Sequence, residues 1–251
     1  MTDLITLINK EISRFLRIWK QTLLPPVITI ILYLIIFWKF IWEKIQIINW
    51  VNYIDFIFPW LLMMSVIMAS YGNTSSSFFW SKFQKSIEEL FVSPISYTKI
   101  LLWFCIWWIV RWITVWILIF ITWWFMVEIN IYNYFFALLF LLLTSTLFSL
   151  AWILNWIYAK SFDDINIIPS FFITPMIYLG WVFYSIDLLS PAWQFVSKIN
   201  PILYMVNGLR YSFLWISDVN IFLSIFIIIF FIIVFFITSL YLLKKGYWIK
   251  N

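Results

Sequence analysis

Along the chain, apolar residues gather into long runs that charged residues interrupt only at wide intervals. Charge-free runs cover 21–38, 56–81, 129–159, 165–186 and 219–243, and a further run, 100–127, is broken only by Arg111. A helix needs about 20 mostly apolar residues to cross the hydrocarbon core of a bilayer. The pattern therefore predicts six membrane-spanning helices. Residues 188–217 are moderately apolar but carry Lys198, Arg210 and three helix-interrupting residues, Pro191, Pro201 and Gly208. This stretch is expected to form short re-entrant or interfacial helices on the outer side, with a seventh span as the alternative reading.

Two further segments keep a helical period without being long enough or apolar enough to span. In residues 1–20, Leu4, Ile5, Ile8, Ile12, Phe15, Leu16 and Trp19 recur at spacings of three and four. They give a helix one apolar face opposite Lys and Arg, suited to lying in the membrane interface. Pro25 and Pro26 are expected to end it and to set the start of the first span. In residues 75–96, Phe79, Phe83, Ile87, Leu90 and Phe91 face one way while Lys82, Lys85, Glu88 and Glu89 occupy the other side. Ser86 with Glu89 fits a capping box, and Pro94 ends the element. Such a helix between two spans is either a surface another protein grips or a solvated connector.

Composition agrees with the membrane reading. The apolar fraction is 65% and the charged fraction 11%, against roughly 45–50% and about 25% in soluble domains. A soluble fold of this length has too little interior for that surface, so lipid must solvate part of it. With no histidine and one cysteine, Cys105, disulfides, zinc sites and most Cys/His or acid/base catalysis drop out. The net charge of +5 reads as cytosolic loop bias, with nucleic-acid binding a distant second. Alternating the six spans places Lys10, Arg14, Arg17, Lys20, Lys82, Lys85, Lys99, Lys160, Lys244, Lys245 and Lys250 on one side. The other side holds Lys39, Lys44, Lys198 and Arg210. Eleven against four predicts that both termini are cytosolic. The charged residues 1–20 show no cleavable signal, so the first span is expected to act as the targeting segment.

Few residues offer chemistry. Arg111 lies well inside the third run, where a charge at the bilayer centre costs at least about 2.5–3.5 kcal/mol on insertion scales. It is a candidate for a translocation pathway or a dimer interface; pairing with a carbonyl or polar neighbour is the equal alternative. Glu128 closes the same span. Asp163 and Asp164 follow Lys160 in the second cytosolic loop. Without histidine or further ligands, they read as first-turn charges of the fifth span and a possible second contact with a partner, not as a metal or acid/base site. Pro169 and Pro175 weaken that span's hydrogen-bond ladder, which neighbouring helices must re-satisfy. No catalytic residue and no metal site is expected.

Four stretches together resemble a known family: FIFPW at 56–60, MMSVIMASYGNTSSSFFWSKFQKSIEELFVSPIS at 63–96, AKSFDDINIIPSFFITPMIYLG at 159–180 and INPILYMVNGLRYSFL at 199–214. They are similar to the type-2 ABC export permeases, in the bacterial branch of multidrug and polysaccharide export permeases. The likeness runs over nearly the whole chain in one register. It implies an all-α integral membrane permease, a single domain over 1–251, that dimerises and binds a separate ABC ATPase. In that family the cytosolic helix after the second span couples to the ATPase. The matching positions are Lys82, Gln84, Lys85, Glu88 and Glu89, with Phe79, Phe83 and Leu90 as apolar anchors. ATP and magnesium would reside on the partner, leaving no cofactor on this chain, and no G-x-x-x-x-G-K-[ST] loop occurs here. An amphipathic drug, lipid or glycan-type cargo is implied. The alternative is an ATP-independent secondary transporter or channel, which would be expected to carry more buried ionisable groups or an internal repeat.

The 19 tryptophans and four glycines form an unusual pair, because glycine ordinarily makes up about 7% of residues. Interfacial belts explain tryptophan at span ends, but Trp107, Trp108, Trp112 and Trp116 lie inside the third span. Read as glycine, positions 108, 112 and 116 become G-x-x-x-G-x-x-x-G, a pattern by which membrane helices approach closely. In the resembling family glycine is usual at 60, 80, 112, 156, 181 and 215, whereas Trp19 and Trp193 match tryptophan positions. This predicts a source that reads UGA as glycine; the competing reading is a genuinely tryptophan-rich membrane protein.

Overall fold

The computed structural model describes residues 19–36, 47–48, 51–52, 55–68, 96–124, 131–180 and 190–246. Its helices are α1 (Trp19–Ile36), α2 (Asp55–Met68), α3 (Tyr97–Trp124), α4 (Tyr134–Tyr158), α5 (Phe162–Ile168), α6 (Thr174–Tyr178), α7 (Pro191–Ile199), α8 (Pro201–Leu214) and α9 (Ile221–Lys244). Each of the six apolar runs contains a helix, and the 188–217 stretch contains two short ones. Among the described residues, α4 and α9 are both long and apolar enough to cross a membrane. Of the predicted interfacial helix at 1–20 and the amphipathic segment at 75–96, residues 1–18 and 75–95 lie outside the described residues, while Trp19 and Lys20 belong to α1.

One expectation changes. Helix α1 includes Pro25 and Pro26 instead of starting at them. Proline removes a donor and crowds the preceding turn, but apolar membrane helices carry it when neighbours re-satisfy the freed carbonyls. The fold is helical but for one strand pair among the described residues, Ile47–Ile48 antiparallel to Val51–Asn52, between α1 and α2.

Three helices start on asparagine. Asn133 Oδ1 accepts from the N–H groups of Phe135 and Phe136, Asn200 Oδ1 from Ile202 and Asn220 Oδ1 from Phe222. Each satisfies donors that the first helical turn leaves open, typically worth about 1 kcal/mol. Within α4 and α9, hydroxyls donate back one turn: Ser145 to Leu141, Thr146 to Leu142, Ser149 to Ser145 and Thr238 to Val234. That local bond lets a polar residue sit in apolar surroundings without a distant partner.

In the fifth run, α5 passes through a wide turn at Pro169–Ile173 into α6, with Thr174 N–H donating to the Pro169 carbonyl five residues back. Pro175 lacks the N–H that would bond the carbonyl at 171, so the ladder rearranges around the two prolines. This agrees with the weakened ladder expected of the fifth run.

Helix α4 is the centre of the bundle and packs on α3, α8 and α9. Its buried face joins α2, α3 and α8 in one apolar cluster. The opposite pattern holds in α9, where Phe222, Phe226, Phe230, Ile233 and Ile237 are exposed at helical spacing. Each such side chain left in water forgoes about 1.5–3 kcal/mol of transfer free energy. Hydrocarbon is the solvent that fits this surface.

Candidate functional site

Helix α8 is buried along most of its length. Residues Ile202–Arg210 are all buried, although the helix carries Asn207 and Arg210. It enters through Asn200, whose side-chain N–H donates to the Met176 carbonyl at the end of α6, 2.6 Å away. Tyr204 O–H donates to the Lys198 carbonyl and ties α8 back to α7. At the far end the Ser212 carbonyl accepts from Asn133 N–H, the start of α4, at 2.9 Å. Phe213 meets Phe58 of α2 edge to face, with centroids 5.1 Å apart. Gly208 lies directly under the ring of the fully buried Phe140 of α4. Helix α8 is thus a plug held among α2, α4, α6 and α9 at the end of the bundle where α4 and α9 begin.

Two side chains of this plug form a polar node. Arg210 Nη1 donates to Asp218 Oδ2 at 2.8 Å, with the side chains only 1% and 7% exposed. The guanidinium also lies over the Phe56 ring of α2, 4.0 Å from its centroid, a cation–π geometry. Asn207 uses both ends of its amide. Its Nδ2 donates to the Val219 carbonyl at 2.8 Å and to Ser224 Oγ at 3.3 Å, and its Oδ1 accepts from Asp218 N–H at 2.9 Å. The loop 217–220 is therefore clamped to α8 by one amide and one ion pair, which also fixes the first turn of α9. In low dielectric such a pair repays its desolvation only with good geometry and further hydrogen bonds; the 2.8 Å contact and the Phe56 ring face supply the geometry.

Residue-level reasoning placed Arg210 among the loop charges and did not single out Asn207 or Asp218. A signal was available: across 188–243 the only charges are Lys198, Arg210 and Asp218, so the one acid has few candidate partners. Gly208, expected to interrupt a helix, instead lies inside α8. Its missing Cβ serves close packing and not a break.

At the other end of α4, Asp163 and Asp164 occupy the first turn of α5, as expected of helix N-terminal charges. Asp164 closes a capping box: Ser161 Oγ accepts from Asp164 N–H, and Asp164 Oδ2 accepts from the N–H groups of Ser161 and Lys160 at 3.0 Å. Nearby, Asn155 Nδ2 donates to the Ile165 carbonyl and joins α4 to α5. The Lys160 N–H, with the Ser161 N–H and hydroxyl behind it, holds the Asp164 carboxyl below its ordinary value of 3.8, against a smaller opposing effect of desolvation. The lowered value means that Asp164 supports the fold above the unfolded carboxylate range and that this support is lost as pH falls through the folded value. Ser161→Ala is expected to cost about 0.5–2 kcal/mol, read as a lower thermal midpoint in detergent at neutral pH. The penalty of Asp164→Ala should shrink once the pH drops below the folded carboxyl's range; an unchanged penalty there would refute the cap.

The backbone of Arg111 lies within α3, and its side chain falls outside the described residues, as do Phe79, Lys82, Phe83, Gln84, Lys85, Glu88, Glu89 and Leu90.

Long apolar helices, one of them with an exposed apolar face, packed around a buried plug fit a helical membrane protein. Residues 2–214 match the ABC-2 type transporter family. The chain is 47% identical over 210 residues to the "Inner membrane transport permease YadH" of Escherichia coli strain K12, a match covering 84% of this chain and 82% of that protein. The permease of that name from Shigella flexneri matches to the same extent. No solved structure matches. The chain belongs to the ABC-2 type transporter family and is an ABC transporter permease.

Proposed function

We propose that this permease is the membrane-spanning subunit of an ATP-driven exporter in the inner, cytoplasmic membrane, with six spans and both termini in the cytosol. Two copies enclose the path, and a separate ABC ATPase binds ATP and magnesium and docks on residues 79–90. Asp163 and Asp164 form a second cytosolic contact, and Arg111 faces the path or the dimer interface. The cargo is an amphipathic drug, lipid or glycan-type molecule. The observation that carries this reading is the family match over residues 2–214. The short buried helix α8 supports the outer re-entrant part of this reading, because it packs where α4 and α9 begin, away from Lys160 at the end of α4.

The test is reconstitution. Proteoliposomes holding the permease with its ATPase should move a fluorescent amphipathic dye or a labelled phospholipid only when ATP is supplied. Solute movement by the permease alone, without ATPase, would establish the secondary transporter or channel instead. Glu88→Lys with Glu89→Lys is expected to cut ATP-driven transport about tenfold or more by reversing the charge this surface offers its partner, while the ATPase alone keeps its basal turnover. Undiminished transport by this variant would remove residues 79–90 from the interface.

A further inference from the structure

Among the described residues, one non-glycine residue has positive φ: Trp215, at φ 59° and ψ 14°. It directly follows α8, and its N–H donates to the Tyr211 carbonyl at 3.0 Å. This is the left-handed residue with which many helices end, a position usually taken by glycine because a Cβ there crowds the backbone. A bulky aromatic is an outlier in that conformation. The indole does not explain the choice. It is half exposed and stacks on Tyr211 and Tyr132 at 4.5 and 4.2 Å, contacts an aromatic residue can make from ordinary backbone.

A second anomaly sits in α3. Trp116 packs against the central cluster facing α4, where it lines a small apolar cavity with Leu141, Leu142 and Ser145. Its indole N–H is buried there, with no hydrogen-bond partner among the described residues. A buried donor left unmade is unfavourable, and native interiors rarely tolerate it. By contrast the fully buried Trp60 donates its Nε1–H to the Ile177 carbonyl at 3.3 Å, so burial alone does not discriminate. The left-handed backbone at 215 does, and the orphaned donor at 116, a condition it shares with Thr144 and Ser239, adds to it.

We propose that the native protein carries glycine at positions 215 and 116, both encoded by UGA that its source reads as glycine, and that this codon accounts for the excess of tryptophan over glycine in the chain. At 215 glycine terminates the plug helix without strain. At 116 it lets α3 approach α4 where the indole now intervenes.

Peptide mass spectrometry of the permease isolated from its native source decides the matter: glycine is expected at 215 and 116, and tryptophan at 193. Tryptophan at either 215 or 116 overturns the proposal, as would UGG in the gene at those codons. Recombinant variants test the backbone argument separately. Trp215→Gly and Trp215→Ala lose the same ring contacts and differ only in the left-handed conformation. The glycine variant should have a folded-to-unfolded ratio about tenfold above the alanine variant. At Trp193, inside α7, the order should reverse, because glycine is the poorer helix residue. Alanine equal to or better than glycine at 215 would show that the site makes no demand for glycine, and the proposal would fall.

Discussion

Arg210→Met is expected to destabilise the permease by about 3–5 kcal/mol, the usual cost of breaking a buried pair from one side. Asp218 would remain 7% exposed with no guanidinium opposite, and the loop that presents it is the one Asn207 clamps to the first turn of α9. The ring of Phe56 would lose its cation as well. Lysine should not rescue, because an ammonium cannot reproduce a planar group that both donates to a carboxylate and lies flat on a ring. The informative variant is Arg210→Met with Asp218→Leu. Removing both charges eliminates the uncompensated ion, and apolar replacement of a buried pair is often neutral. The double variant should therefore recover most of the thermal midpoint lost by Arg210→Met, measured in detergent by fluorescence-detected size exclusion. If Arg210→Met alone leaves the midpoint unchanged, the node contributes no stability. If the double variant recovers stability but not transport, the charges serve the closed state of the path beyond holding the fold.

The helices were legible because lipid imposes a crude requirement: long apolar runs bounded by charge. α4 within 129–159 and α9, which runs through 219–243 and ends on Lys244, needed nothing more. The first-turn role of Asp163 and Asp164 was equally local, since a carboxylate after Ser161 has the backbone donors of its own turn at hand. What escaped was whatever depends on a second element. Arg210 and Asp218 are eight residues apart, on either side of a helix end, and only the left-handed turn at 215 brings them face to face. Pro25 and Pro26 looked like a boundary because local preference opposes helix there, yet packing in an apolar environment carries α1 through them. The tryptophan excess was visible as composition, but composition does not say which indoles are misplaced. Backbone conformation does at 215, and the unpaired indole N–H at 116 agrees with it.

Gly208→Ala, the smallest possible enlargement, is expected to be among the most disruptive single changes. A Cβ at 208 would fall within the ring of Phe140, nearer than real Cβ atoms approach any neighbour. The obstacle is not the far end of a flexible side chain: Phe140 is fully buried in the middle of the apolar cluster. Either the ring leaves its rotamer or α8 lifts from α4, and overpacking of this kind costs about 1–3 kcal/mol. That loss exceeds the gain of up to about 1 kcal/mol that alanine brings as a better helix former, so the net sign is destabilising. Phe140→Leu alone should also destabilise, by leaving a void. Combined, the leucine makes room for the methyl group and the methyl fills part of the void. The double variant should then be more stable than the sum of the single effects by about 0.5–3 kcal/mol, the range for side chains in contact. Additive losses would mean that 208 and 140 do not touch in the folded protein. Transport adds a second readout, because Asn207 and Arg210 flank Gly208 on the same helix. A shift of α8 away from α4 displaces both members of the node, so Gly208→Ala should impair transport even where the remaining protein is folded. Phe140→Leu added to it should restore both together.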